Sequence, residues 1–187
     1  MAAPLRRGAN VALTREIPDL AGVVIAVRLH SAEPVVTENL VVATMLCDTH
    51  GQVLSAEHFV FFNQLTSPDL SVSQLEQALG DDTEQIEVDL ADVPDDVSRI
   101  VVVAYLNEGM AQHRTLGQLR EAVVRVLDLR DNTELVRSQN LAPELRDETG
   151  LTLAELYRLE GNWKFKVLGE GYANGVVGIA ADHGVPL

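Results

Sequence analysis

Seven short runs of apolar, mostly β-branched residues constrain the fold of this chain more than any other feature. They cover residues 10–14, 23–29, 40–46, 58–62, 85–90, 99–106 and 163–168. Each run has the length and composition of a β-strand, and regular helices do not alternate with the runs. This pattern disfavours a parallel α/β sheet. It predicts a mainly all-β fold, namely a β-sandwich of two packed antiparallel sheets with a few short helices.

Turn-forming residues separate the runs at 48–51, 67–69, 131–132 and 160–162, and the last two turns predict hairpins.

The sequence pattern of four segments does not clearly predict a strand. Residues 71–79 carry apolar side chains at helical spacing before Gly80, which predicts a short surface helix. Pro94 suits the first turn of another short helix over 94–97. Residues 115–128 fit both patterns, and a strand is favoured from Ala122 onward. The tail at 176–181 fits a strand or a short helix equally well.

The length and charge of the chain predict a single domain, residues 1–187, that does not bind polyanions. With 187 residues and 47% hydrophobic content, the chain can bury one core and is short for two. The formal net charge is -14, whereas nucleic acids and anionic membranes require clustered Lys and Arg. The sequence has neither the apolar stretch of a signal peptide nor a membrane span, so a cytoplasmic location is expected.

The charge is distributed unevenly along the chain. Residues 31–97 contain fourteen Asp and Glu and no Lys or Arg, so this segment accounts for the whole net charge. Such segregation predicts one electronegative face, which a partner protein or a second copy of the chain would meet with basic side chains. Arg114, Arg120 and Arg125 could supply these side chains in a head-to-tail contact.

No motif in the sequence indicates catalysis, and the protein is expected not to be an enzyme. The five histidines lack the spacing of a zinc site, and no Gly-x-Ser-x-Gly elbow marks a hydrolase. Residues 169–175 contain an incomplete Gly-x-Gly-x-x-Gly motif, which is better interpreted as a turn that closes two strands. Cys47 lies in an apolar run, where a small buried side chain is the favoured interpretation.

The remaining candidate site is the loop that follows Gly80. Asp81, Asp82 and Glu84 place three carboxylates within four residues, and a calcium ion takes about six to eight oxygen ligands. A solvated acidic turn explains the same residues, and the loop lacks the ligand spacing of an EF-hand. Composition alone favours the solvated turn and leaves both interpretations open.

Several phrases of the sequence are similar to the bacterial TerD-type proteins of tellurium resistance and general stress response. The opening LRRGANV at 5–11 resembles the family's L-x-K-G-x-N-V, and GDD at 80–82 resembles the start of its G-D-D-E. The most specific similarity is near the end, where ELYR at 155–158, WKFK at 163–166 and GEGY at 169–172 follow in the family's order and spacing. The resemblance covers nearly the full chain.

This resemblance implies a β-sandwich that binds calcium between loops, in proteins that act with stress-resistance partners and have no established catalytic activity. The implied calcium ligands are only partly present. The family's aspartates after the second strand and at the start of the third are replaced here by the residues at 28–30 and 39–41. What remains is a vestigial or weak calcium site formed by Asn39, Asp81, Asp82 and Glu84.

The expected function is therefore that of a non-enzymatic binding or assembly module in a bacterial stress-resistance system. We expect it to carry either no cofactor or weakly bound calcium, and to act with other proteins of that system. The alternative is a functional calcium sensor of the same family, and an enzyme of unknown reaction is the least favoured interpretation.

Overall fold

The computed structural model describes residues 3–107, 109 and 113–187. This part of the chain forms eleven β-strands and two α-helices. The strands are β1 (Asn10–Ala12), β2 (Gly22–Ser31), β3 (Leu40–Cys47), β4 (Phe59–Val60), β5 (Val72–Gln74), β6 (Glu84–Asp89), β7 (Arg99–Leu106), β8 (Leu119–Asp128), β9 (Glu134–Arg137), β10 (Gly150–Leu159) and β11 (Asn162–Tyr172). The helices are α1 (Pro34–Asn39) and α2 (Gly175–His183).

The strands form two packed antiparallel sheets, which confirms the predicted fold class. One sheet has six strands in the order β1-β11-β10-β7-β3-β4, and the other has five in the order β5-β6-β2-β8-β9. The two predicted hairpins are present as β8–β9 and β10–β11. Neither helix in the described ranges is long and apolar enough to cross a membrane.

The core lies between the sheets and follows from the alternation of side chains along each strand. In β2, Ile25 and Val27 are buried in this core, whereas Val24 and Ala26 belong to a small cluster on the other face of the strand. Phe165 of β11 is fully buried between the sheets. Burial of such a side chain contributes about 1.5–3 kcal/mol, and its replacement by alanine costs about 3–5 kcal/mol.

The outer face of the six-stranded sheet carries a second apolar cluster, which α2 covers. Met45 of β3, Val103 of β7 and Ile179 of α2 are buried together in this cluster. The tail, for which the sequence left strand and helix open, is therefore a helix. It ends at Gly184, whose left-handed φ of 69° is favourable for glycine.

The glycine-rich segment 169–175 is not the predicted turn between two strands. The strand β11 continues through Gly169 and Gly171 to Tyr172, and α2 begins at Gly175. A Cβ atom at Gly171 would lie 2.4 Å from Cγ of Glu148. This glycine therefore permits close packing against a neighbouring loop.

The predicted helix over 71–79 is wrong, because its first residues form the edge strand β5. This strand pairs with β6, and the Gln74 N–H donates a hydrogen bond to Leu65 O at 2.7 Å. Val72 is fully buried whereas Leu79 is 68% exposed, so the apolar residues do not share the single buried face of an amphipathic helix. Pairing with distant segments overrides the local helical spacing.

Two other short segments differ in detail from the prediction. Residues 94–97 form a single turn, closed by a 3.0 Å hydrogen bond from Val97 N–H to Pro94 O, and do not form a helix. The ambiguous segment 115–128 begins with a 3-10 turn, Leu116–Gln118, which is stabilised by a capping box between Thr115 and Gln118. The strand β8 then starts earlier than Ala122, at Leu119.

The acidic segment 31–97 occupies one side of the sandwich. It supplies β3 and β4 at one edge of the six-stranded sheet, and β5 and β6 at one edge of the five-stranded sheet. Contacts between β4 and β5 join the two edges. The charge segregation along the sequence thus becomes a segregation in space.

Candidate functional site

The acidic loop after Gly80 is fixed against the end of β2. The Thr83 N–H donates a hydrogen bond to Val27 O at 2.7 Å. The Thr83 hydroxyl accepts a hydrogen bond from Leu29 N–H at 2.8 Å and donates one to Leu29 O at 3.1 Å. The loop is therefore held in one position beside the strand that carries Arg28.

Asp82 is the buried carboxylate of this loop, since its side chain is only 3% exposed. Nη2 of Arg125 donates to both carboxylate oxygens at 2.8 Å, and Nη2 of Arg28 donates to Oδ1 at 3.2 Å. Nε2 of Gln85 donates to Oδ2 at 2.7 Å. We call these four residues, Asp82, Arg28, Arg125 and Gln85, the Asp82 clamp.

The sheet register places the two arginines of the Asp82 clamp side by side. The strands β2 and β8 are paired so that Arg28 lies opposite Val123 and Arg125 lies opposite Ala26. Because side chains alternate along each strand, and the odd-numbered neighbours of Arg28 face the core, both guanidinium groups project from the outer face of the five-stranded sheet. Two positive charges of the chain itself therefore lie within hydrogen-bonding distance of the carboxylate.

The other two carboxylates of the loop are in different surroundings. Asp81 is exposed to solvent. Glu84 is the first residue of β6, on the same side of the strand as the buried residues Ile86 and Val88. Burial raises the pKa of the Glu84 carboxyl to about 7. Asp81, Asp82 and Glu84 are thus close in sequence, but they do not converge on one point.

The residues at the start of β3 are also not arranged as calcium ligands. Asn39 lies at the end of α1, where its Nδ2 donates a hydrogen bond to Val35 O at 2.8 Å. Val41, where the resemblance implied an aspartate in similar proteins, is 5% exposed and packs in the apolar cluster under α2, near Ile179. A carboxylate at position 41 would be buried in this apolar cluster, which is costly without a partner.

These residues do not fit a calcium ion in their present arrangement. Both oxygens of Asp82 already accept hydrogen bonds from cationic and amide groups, and Glu84 is directed to the core side with a raised pKa. A calcium ion requires about six to eight oxygens. Within residues 3–107, 109 and 113–187, no group of three or more His, Cys, Asp and Glu side chains is placed to hold a metal ion.

Sequence reasoning found the acidic loop but missed its partners Arg28 and Arg125. A signal for both exists in the sequence. Arg28 is the only Lys or Arg in the otherwise mostly apolar strand β2, and Arg125 interrupts the apolar run of β8. A lone arginine within a buried strand requires a carboxylate or other acceptor, although the pattern does not indicate which one.

A second set of polar contacts resembles a hydrolytic triad in composition only. The Ser55 hydroxyl lies 2.7 Å from Nδ1 of His58, and Nε2 of His58 lies 3.9 Å from Oδ2 of Asp69. The Ser55 hydroxyl also donates to a Glu57 carboxylate oxygen at 2.8 Å. A hydroxyl has one proton, so a serine that donates to Glu57 is not activated by His58. These contacts shape the turn before β4.

The thiol of Cys47 is unsuited to nucleophilic chemistry. Its side chain is fully buried, and burial raises the pKa of the thiol to about 12. The thiolate is the reactive form of cysteine, so this residue acts as a small apolar side chain, as the sequence predicted.

Comparison with known proteins identifies similar chains over nearly the full length. The TerD domain family matches residues 1–183. The tellurium resistance protein TerD of Serratia marcescens is 30% identical over 191 residues, covering 99% of this chain and 98% of that protein. General stress protein 16U of Bacillus subtilis (strain 168) is 32% identical over 193 residues, covering 100% of both chains.

A solved structure supports the fold independently. The crystal structure of a homologue of telluride resistance protein (TerD) from Streptomyces coelicolor A3(2) superimposes with a TM-score of 0.65. The match covers 86% of this chain and 95% of that chain at 19% sequence identity. At this identity the likeness concerns the arrangement of the two sheets and carries no information on ligands.

Proposed function

The chain belongs to the TerD domain family, and on that premise we propose that it is a cytoplasmic, non-enzymatic binding or assembly module of a bacterial stress-resistance system. Two of its relatives are named as a tellurium resistance protein and a general stress protein. In this chain, guanidinium groups take the place of calcium in the loop region. The Asp82 clamp is the observation that carries the proposal.

The physical argument concerns the charge of the loop. Crowded carboxylates repel one another, and a bound cation relieves that repulsion. Arg28 and Arg125 supply positive charge covalently, so the loop can fold without a metal ion. A calcium ion that entered at Asp82 would have to displace charge-assisted hydrogen bonds of about 1.5–3 kcal/mol each. It would also leave two partly buried guanidinium groups without their carboxylate.

The binding role is proposed for the acidic side of the sandwich formed by β3 to β6. The partner in this proposal is another protein of the stress system, or a second copy of the chain, that presents Lys and Arg. Arg125 is unsuited to such a head-to-tail contact because it is held in the Asp82 clamp and its side chain is only 17% exposed. Arg120 is exposed and remains suited to it.

Calcium titration of thermal stability tests the proposal. For the wild-type chain, a dissociation constant weaker than millimolar limits stabilisation by 1 mM calcium to less than about 0.4 kcal/mol, or about 1 °C in melting temperature. In the double variant Arg28→Gln/Arg125→Gln, Asp82 is released, and we expect calcium to raise the melting temperature by at least twice the wild-type amount. The single variant Arg28→Gln serves if the double variant does not fold.

The matched control is Arg15→Gln/Arg120→Gln, which removes the same charge from two exposed arginines. Its calcium response should equal that of the wild type. If both double variants respond equally, only net charge matters and the proposed replacement of calcium by the Asp82 clamp is wrong.

The alternative function is a calcium sensor, and the exposed carboxylate of Asp81, which makes no ion pair among the described residues, is the observation that favours it. A sensor-grade site with a dissociation constant of about 1 µM would stabilise the wild-type fold by roughly 4 kcal/mol at 1 mM calcium. A wild-type melting temperature that rises by more than a few degrees over a chelator control would establish the sensor and reject the degenerate site.

A further inference from the structure

A small polar cavity lies on the outer face of the six-stranded sheet, on the opposite sheet from the Asp82 clamp. Its volume is about 210 Å³, and it is bounded by β7, β10, β11, the end of α2 and the turn at Gly51. The ionisable side chains that line it are Arg99, Glu155, Lys166, Glu170 and His183. We call it the Glu155 cavity. None of these residues belongs to the acidic loop.

Glu155 is the buried acid of this cavity. The residue is only 8% exposed. Among the described residues, its carboxylate makes no hydrogen bond and has no basic group within 4.0 Å. This is unexpected, because Lys166 is its direct cross-strand neighbour. The Glu155 oxygens are not among the fully enclosed polar atoms that lack a partner, so they reach the open space of the cavity, and such groups in native proteins are usually paired or solvated by ordered water.

The surrounding charges act on Glu155 without contacting it. Burial raises the pKa of the Glu155 carboxyl, while Arg99, Lys166 and His183 lower it and Glu170 raises it further. All four groups are therefore near enough to influence the carboxyl, although none forms an ion pair with it. The space between them is the cavity itself.

The imidazole of His183 is oriented by α2. Its Nδ1 lies 2.8 Å from Ile179 O, so it carries the proton and donates to that carbonyl. Nε2 is therefore the nitrogen without a proton when the ring is neutral. His183 thus adds a hydrogen-bond acceptor to the cavity at neutral charge.

The signs of the lining charges select the ligand. A simple anion would be attracted by Arg99 and Lys166 but repelled by Glu155 and Glu170. A simple cation would experience the reverse. A molecule that carries both signs a few bonds apart can satisfy both pairs. The volume is smaller than the range of about 300–1,000 Å³ typical of drug-sized ligands, so the ligand must be small.

We propose that the Glu155 cavity binds a small zwitterion of the free amino-acid class, with its ammonium group at Glu155 and its carboxylate between Arg99 and Lys166. This inference goes beyond the proposed module function and does not depend on calcium. The ammonium supplies the missing partner of the buried acid, and the carboxylate supplies a shared acceptor for the two basic groups. The protein would then carry a small-molecule site on one sheet and an acidic protein-binding side at the joined edges.

Isothermal titration calorimetry with the full chain tests this site. The probes are glycine and L-serine as zwitterions, acetate as the anion alone and methylammonium as the cation alone, each to 10 mM. We expect both zwitterions to bind at least tenfold more tightly than either single-charge probe. Glu155→Gln should weaken the binding of glycine by roughly ten- to hundredfold, the range that corresponds to loss of one charge-assisted hydrogen bond.

Lys166→Met should weaken the binding of glycine to a similar degree, and it keeps the test decisive if Glu155→Gln does not fold. The matched control is Lys164→Met, which removes the neighbouring lysine of the same strand outside the cavity lining and should leave binding unchanged. Absence of any zwitterion binding to 10 mM overturns the proposal. Equal binding of acetate and glycine, or unaltered glycine binding in both Glu155→Gln and Lys166→Met, also overturns it.

Discussion

Two buried carboxyl groups, one on the outer face of each sheet, differ in how their charge is balanced. The Asp82 side chain is 3% exposed and has guanidinium nitrogens of Arg125 at 2.8 Å and of Arg28 at 3.2 Å. Glu155 is 8% exposed as a whole residue, and in the described chain no basic group lies within 4.0 Å of it. Both acids nevertheless have two basic residues beside them.

The difference illustrates how the placement of basic residues on neighbouring strands decides whether a buried acid is paired within the chain. At Asp82, the loop carries the acid to arginines that already project side by side from β2 and β8, and every carboxylate oxygen is occupied. At Glu155, the acid and Lys166 lie on paired strands, but the basic groups remain apart and leave a cavity. A closed ion pair has no unoccupied oxygen for a ligand and is costly to break, whereas an open arrangement can accept a ligand.

The largest expected effect is the loss of stability when the Asp82 clamp is broken. Arg125→Met should lower the free energy of unfolding by about 3 kcal/mol, because the buried Asp82 carboxylate loses its shortest ion pair and keeps only the 3.2 Å contact with Arg28 and the amide of Gln85. Urea denaturation measures this change as a lower midpoint at an unaltered slope.

The control for this prediction is Arg137→Met, on the neighbouring strand β9. Arg137 pairs with Glu134 at 2.7 Å, but its side chain is 41% exposed, so its loss should cost less than about 1 kcal/mol. The double variant Asp82→Asn/Arg125→Met should be less destabilised than the sum of the two single variants by at least about 1 kcal/mol. Additive costs would contradict the Asp82 clamp as a single unit.

The next largest effect is the pH dependence of stability that the unpaired carboxyl of Glu155 should cause. Burial raises the folded-state pKa of Glu155 above its unfolded value, so the folded protein holds this proton more tightly. The resulting stability is fully present below the unfolded pKa and is lost as the pH rises through the folded pKa. We therefore expect Glu155→Gln to match the wild type near pH 4 and to have the higher melting temperature at about pH 8.

Other charged groups surround Glu155, and a control variant must separate their contribution from that of Glu155. Arg99, Lys166, Glu170 and His183 all line the same cavity as Glu155. Glu170→Gln therefore serves as the control, because Glu170 is exposed and its loss should change the pH dependence less. Parallel stability curves for the wild type and Glu155→Gln would contradict an uncompensated acid at this position.

The sequence predicted the sandwich because its main strands carry local signals. In β2 and β7, continuous β-branched residues identify a strand without knowledge of its neighbours. The edge strand β5 has only three residues, and it is specified by pairing with β6 and with the chain near Leu65. The apolar spacing of 71–79 suits a helix equally well, so local pattern could not decide between them.

The candidate sites were less predictable because their partners are distant in sequence. Asp82 receives its hydrogen bonds from Arg28 and Arg125, at separations of 54 and 43 residues. The sequence identified the loop as acidic, but it contained no local sign that Arg28 and Arg125 would lie against Asp82. The Glu155 cavity likewise combines residues of β7, β10, β11 and α2, which only the folded register brings together.

The smallest expected effect is that of salt concentration, which should weaken contacts between exposed charges and leave contacts between buried charges unchanged. The Debye length falls from more than about 10 Å at 50 mM salt to only a few ångströms at 500 mM, so exposed charges become strongly screened. Association of the acidic side with a basic partner or a second copy should weaken over this range, as measured by analytical ultracentrifugation or a pull-down at each salt concentration.

The same change in salt should hardly alter the energetic cost of Arg125→Met. Asp82 and Arg125 have side chains that are 3% and 17% exposed, and ions in solution cannot approach closely enough to screen their contact. The melting-temperature difference between the wild type and Arg125→Met should therefore stay constant, whereas the small difference for Arg137→Met should shrink. If the cost of Arg125→Met fell by half or more at 500 mM salt, Asp82 would behave as a surface carboxylate. The contrast between a carboxylate that is paired within the chain, at Asp82, and one without an ion pair, at Glu155, would then not hold.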